Sequence, residues 1–264
     1  MYQPITLSGF EAREAALKNI KRYVDEHTPT MFYRTTDWMH SWRVLAHLEN
    51  IIPLATKVFP GFNIEFTRRI AITHDDLEMI TGDIQLYRKE QMNEKEQKEL
   101  QEREAAAIGQ LRASSPFGID GYPYRELLQV AKEKKIIEAQ VVSYCDKFDG
   151  FGEALHEVFA GNHCFLRPAG GTQNGGYIRR LHDFETKYPS LQALLQQEHP
   201  MFHPPRIDFE PIVAEGKPHT AVSIVTPTGY APYDCWKANV MRVEGITALT
   251  EQQEFKERGQ KSIP

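Results

Sequence analysis

Apolar residues recur three and four positions apart along the first two-thirds of the chain, as at Val44, Leu48 and Ile51. Residues at this spacing share one face of an α-helix, so the pattern predicts a helical protein. Pro53 is expected to kink or shorten one of these helices, and Gly82 is expected to end another. The predicted helices cover about residues 9–24, 38–58, 65–80, 88–111, 124–135, 136–160 and 177–197.

The amino-acid composition of the chain changes after residue 199. This segment is rich in proline and contains short β-branched runs such as 221–226. Such runs between turn residues favour short strands over helices. We therefore predict an all-α helical bundle over residues 1–199. Residues 200–264 are predicted to form an irregular C-terminal extension that is packed on the same domain and contains a short β-hairpin.

Composition narrows the class of protein. The 264 residues are 41% hydrophobic and 25% charged, which suits one globular domain with a sizeable core. The net charge of -5 argues against non-specific nucleic-acid binding. No apolar run approaches the roughly 20 residues of a membrane helix, and the N-terminus lacks a signal-peptide pattern. Three scattered cysteines predict reduced thiols in a cytoplasmic protein.

Four residues with metal-binding side chains lie on predicted helices: His40, the pair His74 and Asp75, and Asp146. Burying adjacent histidine and aspartate on an apolar helix is costly unless they are paired or bind a cation. Two imidazoles and two carboxylates suit one divalent ion such as Mn, Co, Fe, Zn or Mg. Each residue alone has an ordinary structural explanation. The ordered set of four predicts a metal site.

Glu78 lies four residues after His74, on the same face of the predicted helix and one turn further on. A carboxylate at this position could hold or deprotonate a water on the metal. The other histidines in the chain have no comparable set of neighbours. We interpret them as structural or exposed residues.

The order of these residues resembles the HD superfamily of metal-dependent phosphohydrolases, in particular the branch of bacterial 5′-deoxynucleotidases and eukaryotic HD-domain-containing relatives. The matching stretches are RTTDWMHSWR, AITHDDLEMITGDI and CDKFDGFGEALHEVFAGNHCFL, within about residues 15–166. The run HDxxExxxGD is the most specific of them. This resemblance implies an all-α HD domain with metal ligands at His40, His74, Asp75 and Asp146.

The resemblance also implies roles for residues around the metal. Glu78 matches the acidic residue that positions the attacking water, and Asp83 matches the aspartate that contacts the sugar. Arg34 precedes the first ligand and could reach the substrate phosphate, with Lys147 or Arg22 adding positive charge. The family carries an Arg-Trp pair on its first helix, whereas this chain has Arg22-Tyr23 slightly too far upstream. That departure bears on deoxyribose selectivity.

We therefore predict an enzyme that hydrolyses a (deoxy)nucleoside 5′-monophosphate to nucleoside and phosphate. A nucleoside triphosphate or alarmone hydrolase shares the same ligand pattern and stays open, as does a non-catalytic nucleotide-binding module. A di-iron oxygenase needs further histidines between the ligands, and residues 76–145 contain none. Relatives are commonly homodimers, which makes a homodimer the expected assembly.

Overall fold

The computed structural model describes residues 12–24, 31–84, 86–115, 118–170, 176–216 and 227–244. Within these ranges the only β-pairings are two isolated bridges, Lys21 with Thr36 and Ile119 with Tyr122. The predicted all-α class is confirmed. The helices are α1 (Arg13–Asn19), α2 (Asp37–Val58), α3 (Ile64–Thr73), α4 (Glu78–Thr81), α5 (Leu86–Gln91), α6 (Glu94–Ser114), α7 (Tyr124–Glu133), α8 (Ile137–Phe159), α9 (Leu166–Ala169), α10 (Gly176–His182), α11 (Phe184–Lys187), α12 (Gln192–Leu195), α13 (Glu210–Ala214) and α14 (Ala231–Val243).

Helices α2 and α8 form the centre of the bundle and pack against each other. Both also contact α3 and α14, so they are covered on several sides. Leu45 and Leu48 of α2 and Phe148 and Phe151 of α8 have no exposed surface. Polar residues on these two helices therefore lie inside the protein, where each needs a partner.

Helix α2 has the predicted bounds to within one residue, although it contains Pro53. Thr36 caps its first turn by accepting a hydrogen bond from the amide of Met39. Pro53 neither ends nor shortens the helix, which continues to Val58. Pro53 itself is exposed. Its buried neighbours Ile52 and Ala55 keep the helix packed on the core past the missing backbone donor.

The first predicted helix is shorter than expected, because α1 ends at Asn19 and not at residue 24. The chain then becomes extended and runs beside the start of α2. There the amide of Arg22 donates to the carbonyl of Thr35, and Tyr23 adopts a positive φ of 58°. The predicted cap at Ser8 lies outside the described residues. This early break brings Arg22 next to the first turn of α2.

The predicted helix over residues 65–80 is divided in two. Helix α3 ends at Thr73, a turn follows, and α4 begins at Glu78 and ends before Gly82 as predicted. The turn is held by Asp76, which accepts hydrogen bonds of 2.6 Å from both Arg13 and the Tyr124 hydroxyl. The pair His74 and Asp75 therefore lies at a helix end and not inside a helix.

Other predicted helices also divide at local signals. The charged segment over 88–111 breaks at Asn93, which starts α6 with a capping box that pairs it with Glu96. The segment over 177–197 forms the short helices α10, α11 and α12. None of the helices among the described residues has the length and apolar character needed to cross a membrane.

The C-terminal extension is more regular than predicted. Its described part contains α13 and the thirteen-residue helix α14, whereas residues 200–209 are irregular as predicted. Helix α14 packs on α2 and α8 through fully buried Tyr233 and Trp236. Tertiary contacts of this kind stabilise a helix whose sequence carries only a weak helical pattern. The β-branched run 221–226, which suggested the predicted β-hairpin, lies outside the described residues. The domain division at residue 199 stays a prediction.

Candidate functional site

Four side chains from three elements converge at one point between α2, α3 and α8. The Nε2 atom of His40 lies 3.3 Å from Nε2 of His74, 3.3 Å from Oδ2 of Asp75 and 3.5 Å from Oδ1 of Asp146. His74 Nε2 lies 3.2 Å from Asp75 Oδ2. The four side chains that the sequence suggested as ligands thus meet in space.

The hydrogen bonds on the far sides of both imidazoles determine which nitrogens carry protons. Nδ1 of His74 lies 2.8 Å from the carbonyl oxygen of Ala71, which can only accept, so Nδ1 carries the proton. Nδ1 of His40 donates in the same way to a carboxylate oxygen of Asp149 at 2.7 Å. In the neutral rings both Nε2 atoms therefore present lone pairs to the centre of the cluster.

This arrangement fits a divalent cation. Two imidazole lone pairs and two carboxylates face one another, and lone pairs repel unless a positive charge lies between them. Ligands about 2.0–2.2 Å from one ion are separated by roughly 3.0–3.5 Å at octahedral or tetrahedral angles. The observed separations fall in that range. His40, His74, Asp75 and Asp146 could together hold one ion.

Asp149 forms a buried hub behind His40. Its Oδ1 accepts from Nε of Arg43 at 3.0 Å, from Nε2 of His47 at 3.0 Å and from Nε1 of Trp236 at 2.9 Å. Its Oδ2 accepts from His40 and from Nη2 of Arg43 at 2.9 Å. Burial alone would raise the pKa of Asp149, but Arg43 and the imidazoles hold that pKa well below its usual range.

A second group of carboxylates contrasts with this hub. Asp37, Glu78 and Asp83 each offer an oxygen within 4.8 Å of the others, and we call them the acidic trio. Asp37 is fully buried, yet neither of its carboxylate oxygens has a hydrogen-bond partner. Burial raises the pKa of Asp37 to about 7. Burial and the neighbouring charge of Asp75 raise the pKa of Glu78.

Asp83 is held by the backbone of the segment that follows α1. Its Oδ2 accepts a 3.2 Å hydrogen bond from the amide of Tyr23. The Tyr23 hydroxyl in turn lies 3.0 Å from the hydroxyl of Tyr177 on α10. Tyr23 has a positive φ, a conformation that costs energy for a residue other than glycine. The folded protein therefore tolerates strain at the position that holds Asp83.

Positive side chains lie close to the metal-binding candidates. Nη1 of Arg22 is 3.7 Å from Asp75, and Arg22 also pairs with Glu153 at 3.4 Å. Lys147 pairs with Asp146. Each of these cations contacts a carboxylate now and could bind a phosphate oxygen beside it.

A small cavity of about 40 Å³ opens beside the cluster, lined by His74, Asp75, Asp146 and Lys134 among other residues. Lys134 ends α7 with a φ of 53°. Burial and the neighbouring ammonium of Lys147 lower the pKa of Lys134 to about 8. Lys134 was not predicted as a site residue from the sequence, because a lysine at a helix end has no distinctive pattern.

Arg34 lies near a different carboxylate from those that Arg22 and Lys147 contact. It lies beside the buried carboxylate of Glu157 and interacts with it electrostatically. Glu157 also accepts hydrogen bonds from the amides of Phe32 and Tyr33, so this carboxylate organises the loop before α2. A role for Arg34 toward phosphate stays a prediction.

A known protein family matches the part of the chain that carries these residues. The model of the 5′-deoxynucleotidase YfbR-like family matches residues 10–188, which is more than half of the chain. The chain belongs to the YfbR-like family. The match includes the four convergent side chains, the acidic trio and Asp149, and it ends before α13 and α14. The family is one of HD-type hydrolases.

Two further comparisons add less. A conserved hypothetical protein from Pyrococcus furiosus is 21% identical in sequence, with a TM-score of 0.48. The alignment covers 67% of this chain and 89% of that protein. Likeness at this level supports no conclusion about activity. No functionally curated protein matched the sequence.

Several residues at this site were not predicted from the sequence. Asp149 was not selected, although it lies one helical turn after Asp146 and so could have been considered for the same face. His47 was interpreted as structural or exposed, yet it contacts Asp149 in the interior. Asp37 and Trp236 carry no sequence signal, because only tertiary contacts bring them to this site.

Proposed function

We propose that the protein is a metal-dependent phosphohydrolase that cleaves a (deoxy)nucleoside 5′-monophosphate to nucleoside and phosphate. The observation that carries the proposal is the convergence of four side chains on one point: Nε2 of His40 lies 3.3 Å from His74, 3.3 Å from Asp75 and 3.5 Å from Asp146. Membership of the YfbR-like family supports the same class of substrate. A divalent cation bound there supplies Lewis-acid chemistry, since it neutralises phosphoryl charge and acidifies water.

Glu78 is the proposed general base. Burial and the neighbouring carboxylates raise the pKa of Glu78 above its usual range, so it accepts a proton more readily than an exposed carboxylate does. One carboxylate oxygen of Glu78 is buried without a hydrogen-bond partner. That oxygen is available to accept a proton or a hydrogen bond from the water.

Arg22 and Lys147 are the proposed phosphate-binding residues, with Arg34 as a further candidate. Arg22 and Lys147 contact the carboxylates of Asp75 and Asp146, so a phosphate oxygen at the metal-binding cluster would lie beside two fixed positive charges. Asp83 is proposed to accept a hydrogen bond from a sugar hydroxyl. Its orientation is held by the amide of Tyr23.

The test is phosphate release from ribo- and deoxyribonucleoside mono- and triphosphates by chelated protein, with Mn²⁺, Co²⁺ or Mg²⁺ added back. We expect metal-dependent release from the monophosphates, and the ratio of deoxyribose to ribose rates will show whether Arg22-Tyr23 replaces the Arg-Trp pair of the family. Release from triphosphates alone would replace the nucleotidase proposal by triphosphate hydrolysis. No release from any nucleotide would contradict it.

His74→Ala is the matched site variant for this test. Removal of one imidazole from the cluster is expected to abolish both metal binding and turnover, because a ligand is lost and the remaining acceptors repel. His163→Ala, which changes an exposed histidine, is the control and should retain both. An active, metal-replete His74→Ala protein would refute the site. The homodimer and the cytoplasmic location remain predictions.

A further inference from the structure

Helix α14 lies beyond residues 10–188, the part of the chain that the family model matches, yet it reaches the hub behind the metal-binding candidates. Nε1 of Trp236 donates a 2.9 Å hydrogen bond to Oδ1 of Asp149. Both side chains are fully buried. Asp149 in turn accepts from Nδ1 of His40. The indole of Trp236 is therefore connected to the ring of His40 by two successive hydrogen bonds through Asp149.

Gly152 of α8 leaves the space that the indole of Trp236 occupies. A Cβ atom added to Gly152 would lie 2.0 Å from Cδ1 and from Cγ of Trp236, far inside any allowed contact. Gly152 is buried in the middle of α8, where glycine costs roughly 0.5–1 kcal/mol relative to alanine. The glycine thus serves close approach of the indole. The core helix and the C-terminal helix are complementary at this point.

A second route from α14 to Asp149 passes through His47. Nη2 of Arg242 lies 2.9 Å from Oδ1 of Asn239 and can only donate, which fixes the orientation of the Asn239 amide. Nδ2 of Asn239 must then donate to Nδ1 of His47 at 2.7 Å. His47 consequently carries its proton on Nε2, which donates to Asp149 Oδ1 at 3.0 Å.

Both routes end on the same carboxylate oxygen. Trp236 and His47 hold Oδ1 of Asp149, which leaves Oδ2 directed at Nδ1 of His40. A carboxylate held in this way keeps the proton on Nδ1 and aims the Nε2 lone pair at the metal. Groups that hold a ligand in this way usually tune metal affinity.

We propose that α14 is a positioning element of the metal centre, acting through Trp236 and, by way of Asn239, through His47 on the carboxylate that orients His40. The proposal rests on the metal site of the proposed function, and not on the identity of the substrate. Helix α14 is then part of the active-site architecture, although it lies beyond the family-matched region.

The first experiment compares Trp236→Phe with wild type in the full chain. Phenylalanine keeps an aromatic ring in the slot and removes the donor. The dissociation constant for Co²⁺, measured by competition with a chromophoric chelator, is expected to rise at least about tenfold. The visible absorption spectrum of the Co²⁺-bound protein is expected to change, because Asp149 loses one of the donors that fix it and, through it, the orientation of His40.

Tyr233→Phe is the matched control. Tyr233 lies on the same helix and is fully buried, and its hydroxyl hydrogen-bonds Nδ1 of His156 at 2.7 Å. The loss of that hydroxyl removes one buried hydrogen bond without changing any described donor to Asp149. Its Co²⁺ affinity and spectrum are expected to equal those of wild type. An equal loss of affinity in both variants would mean that α14 acts only through packing, and would overturn the proposal.

A pair of His47 variants tests the second route and does not depend on the folding of Trp236→Phe. His47→Leu removes the donor to Asp149, and His47→Gln retains an N–H at nearly the same place. We expect Co²⁺ affinity to fall in the first and to be largely restored in the second. Wild-type affinity in Trp236→Phe and His47→Leu alike would refute the proposal, as would wild-type protein that binds no Co²⁺.

The result is separable from the proposed function. If the variants lose Co²⁺ affinity while wild type releases no phosphate from nucleotides, the positioning role stands and the nucleotidase proposal fails. If nucleotides are hydrolysed and the variants bind Co²⁺ as wild type does, the nucleotidase proposal stands and the positioning role fails.

Discussion

The fold treats the carboxylate of Asp149 and those of the acidic trio in opposite ways, although Asp149 and Asp37 are both fully buried. Asp149 accepts hydrogen bonds from Arg43, His47, Trp236 and His40, and its pKa is held well below the usual range. In the trio, burial raises the pKa of Asp37, and neither of its oxygens has a hydrogen-bond partner.

This difference separates a paired carboxylate, which stabilises the fold and orients His40, from the trio, in which Glu78 and Asp83 are proposed to act on the water and the sugar. A fully paired buried charge stabilises the folded protein only while all its partners are present. A buried carboxylate without donors costs stability, and such costs are usually found at functional sites. Changes at Asp149 and at Asp37 should therefore have opposite consequences for stability.

The largest effect is expected from Glu78→Gln in the trio. Loss of the proposed base should lower kcat by about 10²- to 10⁴-fold, while Co²⁺ still binds because the four ligands remain. Steady-state kinetics with a deoxynucleoside monophosphate and metal analysis together measure this. Glu126→Gln, at an exposed position on α7, is the control. A kcat within a few-fold of wild type would remove Glu78 from the mechanism.

Asp149→Asn is expected to have a different profile: it should lower stability, and it should also weaken metal binding because Asp149 orients His40. The amide leaves the buried guanidinium of Arg43 without one of its carboxylates. Breaking a buried pair by removing one partner costs about 3–5 kcal/mol. Urea unfolding of the metal-free protein measures the change in unfolding free energy. A loss below about 1 kcal/mol would show that Glu153 and Glu244 suffice to compensate Arg43.

Asp37→Asn should stabilise the metal-free protein at pH 7, in contrast to Asp149→Asn. The pKa of Asp37 is about 7 in the folded protein and 3.8 when unperturbed, so the folded state binds its proton more tightly. Stability that Asp37 contributes below pH 4 is thus lost as the pH rises toward 7, by no more than about 4 kcal/mol.

The neutral amide removes this pH dependence. Urea midpoints of wild type and Asp37→Asn in a chelating buffer should differ most near pH 7 and converge near pH 4. A constant difference over that range would show that Asp37 does not titrate within it.

The smallest effect is expected at the cationic edge of the cluster. Lys147→Met removes the ammonium that pairs with Asp146, and the KM for a nucleoside monophosphate should rise about tenfold, as for the loss of one charge-assisted hydrogen bond. Stability and kcat should change little. Lys135→Met, at an exposed position beyond α7, is the control. An unchanged KM would remove Lys147 from phosphate binding.

The sequence by itself determined the all-α class and the candidate ligands. Helical periodicity is a local signal, and it correctly predicted α2 and α8 to within about two residues. The candidates His40, His74, Asp75 and Asp146 followed from residue types and order along the chain. Both kinds of inference are possible because metal chemistry and helix amphipathicity restrict which residues can occupy which positions, and the ligand assignment stays a prediction.

Only the tertiary structure decided how the ligands are held. The turn at His74 is fixed by contacts of Asp76 with Arg13 and Tyr124, which are far away in sequence. The hub at Asp149 is completed by Trp236, 87 positions further along the chain. Such pairings depend on the complementary packing of distant elements, and no periodic pattern near either residue records them. The helix that carries Trp236 was accordingly missed by the sequence analysis and found in the fold.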